Sequence, residues 1–155
     1  MNRTPLIRTL AAVALICATL GTALAVTRVP PDPRGVKVVN ALVEALKIQD
    51  PVARERAVVM LVHANLLTRD RQHLAPNIEQ FSYKKAVGAI GLYPVPVTIT
   101  EVHQGNDVTI GFQETAQRGR IDKYFVAKSQ GRPAPVGVFF PADGSEPKIE
   151  NFGSL

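Results

Sequence analysis

The chain has 155 residues, a single cysteine, 20% charged residues and a formal charge of +5. That length suits one folded domain, and one cysteine excludes both a disulfide framework and a thiolate metal site. The positive charge is dispersed, with no accompanying aromatic series, which excludes a stacking platform for nucleic acid.

The first 25 residues read as an export segment. Arg3 and Arg8 precede an uncharged apolar run over 10–20, and Ala23-Leu24-Ala25 fits a small-x-small cleavage pattern. The uncharged stretch 9–27 would also span roughly 28 Å as a helix, close to the thickness of a bilayer core. Two readings therefore stand: a signal peptide cut after Ala25, or a retained membrane anchor. Either predicts a periplasmic or otherwise extracytoplasmic domain, secreted or held at the inner membrane of a cell envelope. Cys17 lies inside this run, and Ile16 occupies the place where lipid attachment needs a small residue.

Residues 26–35 carry Pro30, Pro31 and Pro33 and read as a stiff, extended linker. A single α+β domain is expected over 36–155. Val38 or Val39, Leu42, Val43 and Leu46 recur at helical spacing over 36–47. Asp50-Pro51 then restarts a helix, with Asp as N-cap and Pro at the first position. This second helix, 51–67, is apolar nearly all round, which predicts the central, buried helix of the fold. A third is expected over 78–90, where Tyr83, Ala86, Val87 and Ile90 share one face. Gly91, Pro94 and Pro96 end it.

The stretch 96–155 reads as an antiparallel meander of four to five strands. Residues 97–103 and 107–114 alternate apolar and polar, and Gly105-Asn106 between them predicts a two-residue hairpin turn. That register places Val97, Ile99, Val108, Ile110 and Phe112 on one core face. Further strands are expected over 120–128, 136–140 and 148–152, with Asp143-Gly144 as a turn.

No catalytic or metal motif stands out. His63, His73 and His103 are not at ligand spacing, so no metal or other cofactor is expected. The polar groups able to do acid–base work are Asp122 and Tyr124 on one face of the third strand, with Glu101 and His103 on the core face of the first. The plainer reading of all four is polarity at strand ends. A pocket between helices and sheet would be lined by His63, Tyr83, Phe112 and Phe125. Lys84-Lys85 and the Arg118, Arg120 pair read as solvated surface, as do Arg69, Asp70 and Arg71 at the end of the second helix.

Helices followed by an antiparallel sheet, closing through 124–126, 136–140, Asp143-Gly144 and 149–152, resemble the cone-shaped nuclear-transport-factor-two-like (cystatin-like) superfamily. The resemblance covers about 36–155. It implies two or three helices packed on a bent sheet of four to five strands. It also implies one of two roles. One is a non-enzymatic binding or assembly module, tethered or exported, with a protein partner or a second copy of itself. The other is a cone whose mouth holds a small apolar ligand and performs isomerase, dehydratase or hydrolase chemistry.

Overall fold

The computed structural model describes residues 26–112 and 116–155. The expected export segment, 1–25, lies outside the described residues. Among those residues no helix is long and apolar enough to cross a membrane. The expectation of a membrane anchor is corrected to that extent: none of the described helices can serve as the anchor.

Three helices pack against an open, five-stranded antiparallel sheet. Helix α1 is Pro33–Leu46. Asp32 caps it by accepting from the Arg34 backbone N–H at 2.8 Å, and Pro33 occupies the first turn. It therefore starts inside the proline-rich stretch, three residues earlier than the periodicity predicts. Its stripe of Val38, Val39, Leu42, Val43, Ala45 and Leu46 is buried, and it packs on three strands of the sheet and on the next helix. Helix α2, Pro51–Leu61, is capped by Asp50, whose carboxylate accepts from the Ala53 N–H at 2.6 Å. It ends earlier than expected because Val62 turns extended. Val62 bridges Ile149, and His63 N–H donates to the Ile149 carbonyl at 2.7 Å.

The central helix is α1 and not α2. Only Val58 of α2 is buried. Its apolar residues surround the helix, but only one side meets α1, so Val52 (65% exposed) and Met60 (69%) face outward. The stripe on α1 is the better indicator, because packing rewards residues that converge on one face. After a single 3₁₀ turn, Ala64–Leu66, a π-helical stretch, Ile78–Tyr83, runs into α3, Lys84–Ala89. Ala86 is its buried residue.

The strands are β1 (Ile99–His103), β2 (Asp107–Ile110), β3 (Gln117–Val126), β4 (Ala134–Pro141) and β5 (Lys148–Asn151). The hairpin expected at Gly105-Asn106 does not form. Both β1 and β2 pair with the long β3, the first at Ile99↔Val126 to His103↔Lys123 and the second at Asp107↔Arg120 to Ile110↔Gln117. They are one line of chain, broken at 104–106. Those three residues stand opposite Ile121 and Asp122, so the break is a bulge. Gly105 is required there: a Cβ would run into the Ile121 carbonyl oxygen.

A second irregularity, between Ile99 and Glu101, shifts the register of β1. Val102 is buried as a result. Glu101 and His103 then face the side of the sheet away from α1, against the expectation that they extend the core face. Val97 and Ile99 pack against the core as expected, but Val108 and Ile110 are only half-buried and Phe112 is 83% exposed, so the predicted core row does not continue past β1. On β3, Asp122, Tyr124 and Val126 point inward, opposite Val138, Val136 and Ala134 of β4. The inner strand β4 is buried through almost its whole length, as its apolar run predicts.

Two edges of the sheet are covered. Thr27 and Val29 bond to the outside of β1, through Gln104 N–H to the Thr27 carbonyl (2.9 Å) and Val29 N–H to the Val102 carbonyl (3.1 Å). The expected free linker is thus, in part, an added strand. Val62 and His63 cover β5 in the same way.

This arrangement yields a stability prediction. Leu42→Ala removes a fully buried side chain of α1 and should cost about 2–5 kcal/mol. Met60→Ala on the outward side of α2 should cost well under about 1 kcal/mol. Denaturant unfolding of both variants checks the ranking, and equal losses would mean that α2 carries the core.

Candidate functional site

Asp122 and Tyr124 share the inner face of β3, and both are buried. Asp122 accepts from Arg120 Nε at 2.8 Å and Arg120 Nη2 at 3.0 Å, and from the Gly105 backbone N–H at 3.1 Å. Its oxygens are committed to a forked ion pair and to the bulge, which leaves little to act on a substrate. The guanidinium of Arg120 lies over the Phe140 ring at 5.6 Å, and that of Arg34 stands at the same distance. Asp122 therefore fastens a packed cluster.

Tyr124 completes the cluster. Its hydroxyl donates to the Asp32 carbonyl at 3.4 Å, a long and weak bond. Burial pushes its phenol up to about 12, so it holds its proton throughout the physiological range. It packs against Gly35, where any Cβ would collide with its ring and hydroxyl. Asp32 is held below the usual carboxylate range by the Arg34 side chain first and the Arg34 backbone N–H second.

Glu101 and His103 stand together on the opposite face. His103 Nε2 is 3.3 Å from Glu101 Oε1 but without the alignment of a hydrogen bond. Glu101 also pairs with Arg28 of the added strand at 3.1 Å, and the His103 ring lies 4.5 Å from that of Phe125. The sheet separates this pair from Asp122 and Tyr124. The four acid–base candidates thus form two groups on opposite faces and converge on no common point.

The pocket candidates divide too. Tyr83 lies between α2 and α3, where its hydroxyl accepts from Arg54 Nε at 3.2 Å. Phe125 is on the outer sheet face with His103. His63 and Phe112 do come together. They line a groove of about 450 Å³ at the end of the sheet, with Asn65, Leu67, Arg69 and Arg71. His63 is buried beneath this groove, edge-on to Phe139 at 5.2 Å. Its Nδ1 lies 2.8 Å from Asn65 Oδ1 and 3.2 Å from the Asn65 backbone nitrogen, and its Nε2 lies 3.2 Å from Gln117 Oε1. Both ring nitrogens are spent on holding the loop, as the plain reading of a satisfied histidine predicts.

A second groove of about 350 Å³ adjoins the first and shares Arg71 with it. Its walls are Val52, Arg56, Val59 and Met60 of α2, with Glu55 and His73 paired at 3.3 Å across it. Val52, Arg56 and Met60 are spaced four apart and so form one outward stripe. The two grooves and this stripe make a continuous surface. The sequence pointed to it only through the missing polar face of α2. Arg69 and Arg71 looked like ordinary solvated charge. Among the described residues no cluster of three or more His, Cys, Asp or Glu could hold a metal ion.

No protein-family model matches the chain, and neither curated proteins nor solved structures give a match.

Two outcomes test these roles. Asp122→Ala should destabilise the fold by roughly 2–4 kcal/mol, since it strands Arg120 and the Gly105 N–H, although the arginine can still reach water. Thermal or denaturant unfolding measures this. Asp32→Ala should cost about 1 kcal/mol at neutral pH through loss of the α1 cap. The lowered folded pKa of Asp32 means that the charged form's contribution is complete above the ordinary value of 3.8 and is lost as pH falls through the folded value. The gap between wild type and Asp32→Ala should therefore narrow below that pH. A gap that widens in acid would refute the assigned role.

Proposed function

We propose that the chain is a non-enzymatic binding module that docks a partner protein across the outward stripe of α2 and the two adjoining grooves. The observation that carries this reading is Val52 and Met60, exposed together on a helix whose composition suits burial. Large apolar side chains gathered beside concave surface mark an interaction site more often than a solvated one. The space between α1 and the sheet supports the same reading. It is filled by Val39, Leu42, Leu46, Tyr124, Val136 and Val138, all with no exposed surface, whereas a ligand-binding cone needs room there. The acid–base candidates, split between two faces, favour binding over catalysis as well. The element order agrees with the scaffold members of the nuclear-transport-factor-two-like superfamily, to which we assign the fold as part of this proposal.

The test places a photo-activated cross-linking residue at Met60 in the full chain, with Lys123 on the outer sheet face as control. Position 60 should give a discrete adduct in cells and position 123 should not. Met60→Asp should leave the folded content unchanged, because the side chain is exposed, and should abolish the biological role in a deletion strain. Asp122→Asn and Tyr124→Phe, at normal protein levels, should retain it. Loss of function from Tyr124→Phe alone in a stably folded protein would overturn the binding reading in favour of a catalytic pocket.

A further inference from the structure

The groove at the end of the sheet has a definite chemical character. Leu67 and Phe112 give it apolar lining, and Arg69 and Arg71 line it with positive charge. Among the described residues no aspartate or glutamate lines it. Neither arginine makes an ion pair among the described residues. Asp70 stands between them in sequence, but its carboxylate is turned into its own loop. There it accepts from Thr68 Oγ1 at 2.6 Å and from the Gln72 N–H at 3.1 Å. Two cations thus line the groove while the aspartate between them in sequence is occupied within its own loop.

Arg71 adds a second observation. Its φ is 59°, in the left-handed region that glycine or asparagine adopts with least strain. An arginine there costs the turn on the order of 1 kcal/mol. It is also the residue that the two grooves share. An arginine that lines both grooves beside apolar side chains fits recognition of a carboxylate next to an apolar group, since guanidinium binds carboxylate through two parallel hydrogen bonds.

We propose that this groove receives an acidic segment of the partner, one in which a carboxylate side chain sits beside a large apolar or aromatic residue. The apolar residue packs against Phe112 and Leu67, and the carboxylates meet Arg69 and Arg71. This rests on the binding reading above and specifies the partner's chemistry. An anionic bilayer is the rival for a basic, apolar surface. It is disfavoured because the site is concave, whereas a bilayer presents a broad, flat surface.

The experiment titrates the isotope-labelled full chain, followed by amide NMR shifts, with two blocked pentapeptides. Both carry a central phenylalanine, one flanked by aspartate and glutamate and the other by lysine. The acidic peptide should shift amides within 63–71 and 111–112, and should weaken as salt rises. Arg69→Gln with Arg71→Gln should reduce its affinity by about tenfold or more. Equal shifts from the lysine peptide, or none from the acidic one, would overturn the proposal. So would arginine-dependent sedimentation of the chain with phosphatidylglycerol vesicles. A failed titration alongside an intact Met60 adduct would reject the acidic partner alone, whereas loss of that adduct would reject the binding reading itself.

Discussion

A buried carboxylate sets the geometry of the sheet. Asp122 is removed from water, so its charge must be met by hydrogen bonds and an opposite charge. Arg120 supplies the charge and two donors from the same strand. The Gly105 N–H supplies a third from the neighbouring line of chain. That third bond exists only because residues 104–106 bulge, and the bulge exists only where no Cβ obstructs Ile121. Ionic pairing, glycine and bulge thus form one device. It keeps β1 and β2 in line on β3 and offers the outer edge of β1 to Thr27 and Val29.

How this differs from the sequence reading is instructive. Gly105-Asn106 between two alternating runs is a strong hairpin signal, and the rule behind it is sound. What defeats it is a long-range partner. The donor at Gly105 is claimed by a carboxylate that lies seventeen positions away in sequence, and no local pattern reveals that bond. The same holds for Glu101 and His103. A one-residue irregularity after Ile99 turns both to the opposite face, and strand alternation cannot show where a bulge will fall. By contrast, the placement of Asp122 and Tyr124 on one face of the strand was legible, because β3 is regular, although the face itself was not. The helix starts at Asp32 and Asp50 follow capping chemistry, which is local, although the first was read a few residues too late. The joint placement of His63 and Phe112 was legible only as two names for a pocket, without its position or its arginines.

The helices show why composition and placement can part. The α2 segment is richer in apolar residues on every side, yet α1 is the element that the sheet embraces. A helix can bury no more than the area its neighbours offer. When the apolar residues exceed that area, some stay in water, and they remain there at a cost to solubility unless something covers them. Reading the surplus as evidence of centrality was the error, and the surplus is the most informative thing about the helix. It is also what separates this surface from the sheet's far face, where charged and aromatic groups are interleaved and already paired with one another.

The two covered edges have a consequence for the order in which the chain matures. Thr27 and Val29 close one side of the sheet, and Val62 and His63 close the other. Both segments leave the ribosome well before the strands they complete. They must wait as unpaired backbone until β1 and β5 have been synthesised, since contacts of large sequence separation form late. Until those segments dock, each flank of the newly made sheet is open to strands from other nascent chains. The amino-terminal half of the domain therefore acts toward the carboxyl-terminal half as a tethered chaperone would, held close by the polypeptide itself and docking on each flank as soon as it appears.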